Sequence, residues 1–156
     1  MNNLPRCDFQ FLVSQTRLIL SSYCRWTGKE LGDKNKSDDV LVKEIFFAPF
    51  VLCSAGNQTD PILNYGNQKA LELWEMNWEK LTQTPGRHTA EADEREQRAR
   101  FLQTVQRQGY IDNYSGIRIS ASGRRFKIER ATVWNLIDSN GNYQGQAATF
   151  THWKVI

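Results

Sequence analysis

Apolar residues recur at helical spacing through residues 8–26 and predict the first helix. Asp8 has a short side chain whose oxygen suits a helix N-cap, while Gln10 and Arg17 fall outside the apolar stripe. The polar stretch that follows, residues 27–37, contains two glycines and is typical of an exposed linker. This part of the chain is therefore predicted to be one amphipathic helix and a loop.

A second, shorter helix is predicted where the linker ends. Ser37 is a suitable cap, and Asp38 and Asp39 place negative charge in the first turn, where the helix dipole favours it. We take this point as a domain boundary. Residues 1–37 are predicted to form an N-terminal helix with a polar linker, and residues 38–156 the main domain.

The middle of the chain alternates short strands with helices. Residues 50–54 and 62–65 are short apolar stretches next to proline and glycine, and they predict two strands. Asn67 caps a helix after the second strand, and Thr89 begins a longer helix that ends before Gly109.

The longer helix carries acidic and basic residues four positions apart. These pairs are Glu91–Arg95, Glu94–Arg98 and Glu96–Arg100. Each such pair stabilises an exposed helix by only about 0.3–0.5 kcal/mol. Together they predict a solvated face, with Phe101, Leu102 and Val105 on the buried side.

From residue 110 the spacing of apolar residues changes from helical to alternating. Ile117 and Ile119 predict one strand face, and turns at Gly123 and Gly141 separate that strand from two more. One set of side chains on the middle strand is predicted to share a face: Phe126, Ile128, Thr132, Trp134 and Leu136. Residues 144–155 are predicted to form the last strand.

The middle strand is apolar on both sides over its second half, so the sheet needs a cover on each face. The central helices can cover one face, and the N-terminal helix can cover the other. The predicted fold is therefore α+β: a five-stranded antiparallel sheet with helices across one face and the N-terminal helical segment on the other.

Composition excludes several classes of protein. The net charge is +3, and the basic residues of the long helix alternate with acidic ones, so nucleic-acid binding is not indicated. Three cysteines without a CxxC spacing favour reduced thiols over a disulfide framework or a metal site, and hence the cytoplasm. The apolar stretches are too short and too interrupted to predict a signal peptide or a membrane span.

Several short motifs resemble known families. The stretch Asp60–Asn67 looks like the segment that opens PAS domains, and the two glycine turns between alternating strands resemble the PAS signature. Three further segments look like the MEKHLA domain, which is a PAS-related family: residues 64–74, Tyr114–Arg118 and Gly123–Phe126. The literal MEKHLA string is absent, and residues 78–81 are the nearest stretch to it.

The resemblance implies a PAS-like fold and a role in sensing or interaction. MEKHLA domains occur alone in bacteria, notably cyanobacteria, and at the C-terminus of plant homeodomain–leucine zipper regulators. The resemblance implies the standalone bacterial type for this chain. It names no ligand, since fold alone does not define function.

A ligand pocket is predicted between the sheet and the central helices, with aromatic walls and a few polar groups. Its candidate residues are Asn64, Tyr65, Leu71, Trp74, Trp78, Phe101, Tyr110, Asn113, Ser115, Thr132 and Trp134. The alternative interpretation of the aromatic residues is plain core packing.

The residues allow only some cofactors. Photoreceptors of the light-oxygen-voltage type carry a reactive cysteine after the second strand, where this chain has residues 67–72 without a thiol, so only noncovalent flavin binding stays open. His88 and His152 stand without a second ligand signal and do not indicate haem or another metal. Cys53 is interpreted as a core residue.

Basic residues concentrate on the hairpin that follows Gly116. They are Arg118, Arg124, Arg125, Lys127 and Arg130. A charged strand edge that faces solvent and discourages aggregation is one interpretation. A surface for an anionic ligand or partner is the other.

The sequence contains no catalytic signature such as GxSxG, HExxH or a phosphate-binding loop. The leading hypothesis is a non-catalytic sensor that binds a small molecule and acts through a protein partner or a homodimer. The alternative is a ligand-free interaction module whose N-terminal helix presents Leu12, Ile19 and Tyr23 to a partner.

Overall fold

The computed structural model describes residues 3–156. The elements follow one another in the order α1 (Phe9–Thr27), α2 (Asp38–Phe46), β1 (Val51–Ala55), β2 (Leu63–Gly66), α3 (Gln68–Trp74), α4 (Trp78–Leu81), a 3-10 turn (Gly86–Thr89), α5 (Ala92–Gln108), β3 (Tyr110–Ile119), β4 (Arg125–Ile137), β5 (Tyr143–Phe150) and β6 (His152–Val155). Over these residues no helix is both long and apolar enough to cross a bilayer.

The strands form one antiparallel sheet in the order β2-β1-β5-β4-β3, and β6 pairs with β4. The predicted α+β antiparallel fold is confirmed, but the sheet has six strands instead of five. The predicted last strand breaks at Thr151, so β5 pairs with residues 132–137 of β4 and β6 pairs with residues 126–129.

The break between β5 and β6 faces an irregularity in β4. Arg130 has a backbone φ of 56°, which is the left-handed region, and it inserts one extra residue into the alternation of side chains. Phe126 and Ile128 therefore lie on the same face as Val133, and Trp134 lies on the opposite one. The prediction that Phe126, Ile128 and Trp134 share a face was wrong, because a one-residue shift exchanges the two faces.

Helices cover both faces of the sheet. We call the face under α1 and α2 the outer face and the face under α3 and α5 the inner face. The outer core includes Leu12, Ile19, Leu41, Ile45, Phe46, Leu52, Tyr65, Trp78, Trp134 and Leu136. The inner core includes Val51, Ala70, Leu73, Trp74, Val105, Tyr114, Phe126, Ile128, Val133 and Phe150.

Helix α1 begins as predicted, since the Asp8 carboxylate accepts a hydrogen bond from the Gln10 backbone amide at 3.0 Å. Its apolar stripe lies against the sheet, where Leu12 is 1% exposed and Ile19 is 0% exposed. Tyr23 packs edge-on against Trp134, with ring centroids 4.9 Å apart. The three residues predicted to face a partner therefore lie within or against the chain's own outer core, because the apolar outer face needs this cover.

The division at residue 37 stays a prediction. Helices α1 and α2 contribute to the same outer core. An ion pair between Arg17 and Asp38, 2.7 Å apart, joins the two helices across the linker.

A carboxylate fastens α3 to the turn between β3 and β4. Glu75 follows α3 and accepts hydrogen bonds from the hydroxyls of Ser120, at 2.6 Å, and Ser122. The backbone amide of Ala121 donates to the Trp74 carbonyl at 2.9 Å. The hydroxyls of Ser120 and Ser122 hold the pKa of Glu75 below its ordinary value of 4.5.

We predict that Glu75→Gln lowers the free energy of unfolding at pH 7, because a neutral amide accepts weaker hydrogen bonds. Because the pKa of Glu75 is lower in the folded state than in the unfolded chain, its ionised form stabilises the fold at pH values above about 4.5. This contribution is lost as the pH falls below that value. The variant should therefore lose less stability than the wild type on acidification through that range. Urea unfolding at pH 7, 4.5 and 3 measures both effects.

Glu72→Gln is the matched control, since Glu72 is an exposed carboxylate on α3 whose hydrogen bond is to Gln68 on the same helix. It should leave the acid dependence unchanged. Equal pH profiles for Glu75→Gln and the wild type would show that the Glu75 contacts do not contribute to stability.

Candidate ligand-binding site

The structure divides the predicted pocket residues between the two faces of the sheet. Trp74 and Phe101 line a cavity on the inner face. The members found on the outer side are Asn64, Tyr65, Leu71, Trp78, Tyr110, Thr132 and Trp134. Asn113 and Ser115 are exposed on β3. The eleven predicted residues therefore do not converge on one site.

The outer-side residues pack as a core. Tyr65 meets Trp78 edge-on with ring centroids 5.7 Å apart, and Trp78 in turn lies 6.4 Å from Phe46. Asn64 belongs to a hydrogen-bonded group in which the Ser54 hydroxyl donates to its carbonyl oxygen at 2.6 Å. Burial raises the pKa of Tyr65, and the nearby Thr16 hydroxyl opposes that change only in part.

The inner cavity has a volume of about 80 Å³. It lies between β1, β4, β5 and the helices that cover the inner face. Its walls are formed by Cys53, Leu63, Trp74, Leu81, Thr89, Arg98, Phe101, Leu102, Tyr114, Arg118, Ile128, Val133, Ala148 and Phe150. Drug-sized ligands occupy about 300–1,000 Å³, so this cavity suits a much smaller molecule.

A larger depression of about 510 Å³, the side groove, adjoins the inner cavity between α5 and the loop at residues 56–61. Arg98, Cys53 and Leu102 line both spaces. Arg98 therefore stands at the boundary between the small inner cavity and the larger side groove.

A third depression of about 510 Å³ lies between α1 and the linker. Its lining includes Arg17, but this guanidinium already binds Asp38 and the carbonyl oxygens of Lys34 and Lys36. We therefore regard the inner cavity, where polar groups lack such partners, as the candidate site.

Arg118 is buried at the inner face and is 6% exposed. Its guanidinium donates to the Tyr114 hydroxyl at 3.1 Å and to the Ile117 carbonyl at 2.9 Å. Gly116 leaves room for this arrangement, because a Cβ there would lie 2.9 Å from the Arg118 guanidinium and closer still to the Tyr114 hydroxyl. The other basic residues of the hairpin, Arg124, Arg125, Lys127 and Arg130, are exposed as predicted.

Arg98 extends from α5 toward the same cavity. A Cβ at Gly86 would lie 2.7 Å from its guanidinium, so the glycine leaves space for the arginine. Among residues 3–156 its guanidinium has no hydrogen-bond acceptor, and Asp60, whose charge acts on it, is bound by Arg87 at 3.0 Å. Burial and the positive charge of Arg118 lower the pKa of Arg98 to about 10.

Trp74 adds a second polar group without a hydrogen-bond partner. It is 5% exposed, and its indole nitrogen finds no hydrogen-bond acceptor in the described part of the chain. Buried polar groups in proteins are nearly always hydrogen-bonded. The cavity thus presents donors from Trp74, Arg98 and Arg118, and none of its lining residues is Asp or Glu.

Sequence reasoning missed both arginines of the cavity. Arg98 was assigned to an exposed ion pair with Glu94, yet among the three predicted pairs only Glu96–Arg100 forms in the described structure, at 3.0 Å. The signal was the spacing, since Arg98 precedes Phe101 and Leu102 by three and four positions and shares their helix face. Arg118 was assigned to the solvent side of β3, but irregular pairing between residues 111 and 116 turns it inward.

Cys53 lies on β1 at the boundary of the cavity. Desolvation raises the pKa of its thiol to about 11, although the charges of Arg98 and Arg118 oppose this. The residue keeps some exposed surface, but the loss of hydration around the sulfur dominates. A thiol of this kind is a poor nucleophile at neutral pH.

Solved structures with the same arrangement share little sequence with this chain. A PAS domain from Colwellia psychrerythraea superposes with a TM-score of 0.62 at 14% identity and covers 76% of this chain and 95% of that one. A light-oxygen-voltage domain studied with a flavin analogue gives 0.59 at 14% identity, over 75% and 84% of the two chains. An RNA-binding light-oxygen-voltage receptor gives 0.64 at 12% identity, over 80% of this chain and 36% of the receptor.

The antiparallel sheet, the helices across its inner face and these neighbours define a PAS-like domain. The family is narrower. The chain belongs to the MEKHLA domain family, whose model matches residues 13–155.

The curated relatives are plant regulators. Homeobox-leucine zipper protein ATHB-9 of Arabidopsis thaliana is 28% identical over 149 residues, which cover 92% of this chain and 18% of the relative. REVOLUTA of the same plant is 25% identical over 158 residues, with the same two coverages. The chain thus spans about a fifth of the length of these relatives, and a standalone bacterial origin stays a prediction.

The residues at the site do not fit a flavin or a haem. The inner cavity of about 80 Å³ is by itself far smaller than the roughly 300–1,000 Å³ of pockets that hold drug-sized ligands. His88 and His152 are both exposed and outside the cavity lining. In the described part of the chain no cluster of His, Cys, Asp and Glu could hold a metal ion.

We predict that Cys53 resists alkylation in the folded protein. A pKa of about 11 against an ordinary 9.0 reduces the thiolate fraction at pH 8 about a hundredfold. Timed iodoacetamide labelling with peptide mass spectrometry measures the rate in buffer and in 8 M urea. Exposed Cys7 is the internal control, and equal rates for Cys53 in both conditions would contradict the assignment.

Proposed function

We propose that this MEKHLA domain is a non-catalytic sensor that binds a small molecule in the inner cavity and reports its occupancy to a protein partner. The observation that carries the proposal is a small cavity lined by two donors that lack an acceptor in the described part of the chain: the half-buried guanidinium of Arg98 and the buried indole nitrogen of Trp74. Such groups carry a desolvation cost that a bound molecule can offset.

A hydrogen-bonded route connects the helix over the cavity to α1 on the other side of the sheet. The Asn135 side-chain amide donates to the Gln106 carbonyl of α5 at 3.0 Å. On the outer side, the indole of Trp26 in α1 donates to the Asn135 backbone carbonyl at 2.9 Å. One residue of β4 therefore contacts both covering helices.

Gln146 reinforces this route. Its side-chain amide donates to the Leu102 carbonyl at 3.0 Å and to the Asn135 side-chain oxygen at 3.2 Å. Leu102 also lines the cavity. A ligand that prefers one position of α5 would thus shift the contacts of Asn135, since only differential affinity for two arrangements can switch a protein.

The chemistry of the cavity supports binding without catalysis. Its lining holds neither histidine nor a carboxylate, and its thiol has a raised pKa. The described cysteines, Cys7, Cys24 and Cys53, are all free, which supports a reducing compartment such as the cytoplasm.

The alternative function is ligand-free association through α1. Leu12 and Ile19 are buried in the outer core, so a partner could reach them only if α1 left the sheet. Association through the exposed side of α1 and α2, where Phe11 is 37% and Val40 is 44% exposed, needs no such change.

Native mass spectrometry of protein freshly purified from its own host tests the proposal, together with thermal-shift screening against small acids, amides, alcohols and amines. We expect a copurifying molecule or a reproducible rise in Tm. No copurifying molecule and no shift with any compound would overturn the sensor function. Light scattering would then show whether the chain associates without a ligand.

We predict that Asn135→Ala weakens the junction between α5 and the sheet. The change leaves the Gln106 carbonyl without its side-chain partner and removes one of the two acceptors of the Gln146 amide, which keeps the Leu102 carbonyl; the loss costs about 1–3 kcal/mol. Hydrogen exchange should speed up in the last turns of α5 and in α1 near Trp26. Asn57→Ala, which removes one exposed hydrogen bond to Tyr143, is the control, and identical exchange in both variants would contradict the proposed route.

A further inference from the structure

We infer that the inner cavity selects a small organic anion, and that its carboxylate is held by the guanidinium groups of Arg98 and Arg118. This inference rests on the proposed sensor function and adds the chemical class of the ligand. Its basis is the juxtaposition of two inward-facing arginines, one from α5 and one from β3, in a cavity without an acidic residue.

The charge balance of the cavity is incomplete without an anion. Arg118 has neutral partners, the Tyr114 hydroxyl and its own neighbouring carbonyl, and Arg98 has no hydrogen-bond acceptor in the described part of the chain. The positive charge of Arg118 is close enough to disfavour the charged form of Arg98, and it helps to lower the pKa of Arg98. Two cations without an acidic partner in the cavity are unfavourable, and a carboxylate between them would offset their repulsion and give the half-buried Arg98 a hydrogen-bond acceptor.

The nearby acidic residue does not supply this charge. Asp60 is half-exposed in the loop before β2, and both of its oxygens are engaged by Arg87. Asp60 does not line the inner cavity. The anion must therefore come from outside the folded chain.

The walls of the cavity indicate the rest of the ligand. Phe101, Ile128, Val133 and Phe150 line it and offer no hydrogen bond. A phosphate would leave some of its oxygens against these apolar walls at a large desolvation cost, whereas a carboxylate exposes only two. A carboxylate with a short apolar body matches both the two arginines and the apolar walls of the cavity.

The volume limits the length of that body. A cavity of about 80 Å³ is small beside the roughly 300–1,000 Å³ of pockets that hold drug-sized ligands, so it suits an acid with a short carbon chain. The free indole N–H of Trp74 provides one more donor to such an acid.

The test measures binding of acetate, propionate and butyrate by calorimetry and thermal shift, in a carboxylate-free buffer at constant ionic strength. Propionamide and butyramide are the neutral counterparts, and inorganic phosphate is the competing anion. We expect at least one acid to bind and to raise Tm, and we expect the amides to bind at least tenfold more weakly, because they lack the charge that both arginines recognise.

Arg98→Met is the decisive variant. It keeps the length of the side chain and removes no protein hydrogen bond. We expect the ligand-free variant to melt at least as high as the wild type, because the substitution removes a partly desolvated charge that has no hydrogen-bond acceptor in the described part of the chain. The same variant should bind the acid at least tenfold more weakly, and Arg98→Lys should recover part of that loss.

Arg100→Met is the matched control. It lies on the same helix but is exposed and paired with Glu96, so it should leave acid binding unchanged. Arg118→Lys is a second probe of the site that retains the buried charge. We expect it to weaken binding without unfolding the protein.

The outcomes separate this inference from the proposed function. Equal binding of acids and amides, tighter binding of phosphate, or unchanged acid binding in Arg98→Met overturns the carboxylate assignment and leaves the sensor function standing. If only cationic or neutral compounds bind, the carboxylate assignment is likewise overturned and the sensor function still stands. If no compound of any charge binds, both the assignment and the sensor function fail.

Discussion

The structure depends on one constraint: a single sheet with two apolar faces has to be covered on both sides by the same chain. Strand β4 meets this constraint most directly, because Trp134 enters the outer core while Val133, one position earlier, enters the inner core. Helices α1 and α2 cover the outer face with large apolar side chains. Short helices and the single long helix α5 cover the inner face, and their fit leaves a cavity. The location of the site thus follows from unequal cover of a two-sided sheet.

Local signals were sufficient for most elements of this fold, but not for the division of the last strand at Thr151 or for the start of α5 at Ala92 instead of Thr89. Asp8 and Asn67 act as helix caps because their short side chains reach the first free backbone amides, and Gly123 and Gly141 adopt the positive φ that their turns require. The shift at Arg130 was beyond sequence reasoning, since arginine is not a residue type that favours the left-handed region and its positive φ is imposed by the paired strands. That one residue decided which aromatic side chains share a face.

The candidate site was predictable only in its position. Alternation shows that both faces of a strand are buried, but it cannot show which helix covers which face, so Tyr65, Trp78 and Trp134 were grouped with Trp74. The arginines were missed for a different reason. Arg98 and Arg118 have long side chains whose charged ends can lie in solvent or in a cavity, and small neighbours such as Gly86 and Gly116 make the inward position possible. The sequence shows where the glycines are, but only the structure shows which side chains occupy the space that a Cβ would fill.

The packing of helix α1 against the C-terminal strands has a consequence for biosynthesis. The Ser22 hydroxyl meets the backbone of Ile137, a partner 115 positions further along the chain, and β1 pairs with β5 across a similar separation. Helix α1 therefore emerges from the ribosome long before the surface that it covers exists. Contacts so distant along the chain slow folding. The apolar side chains of the newly made N-terminal segment therefore stay exposed to water until the last strands are synthesised. We expect molecular chaperones to bind the segment during this interval.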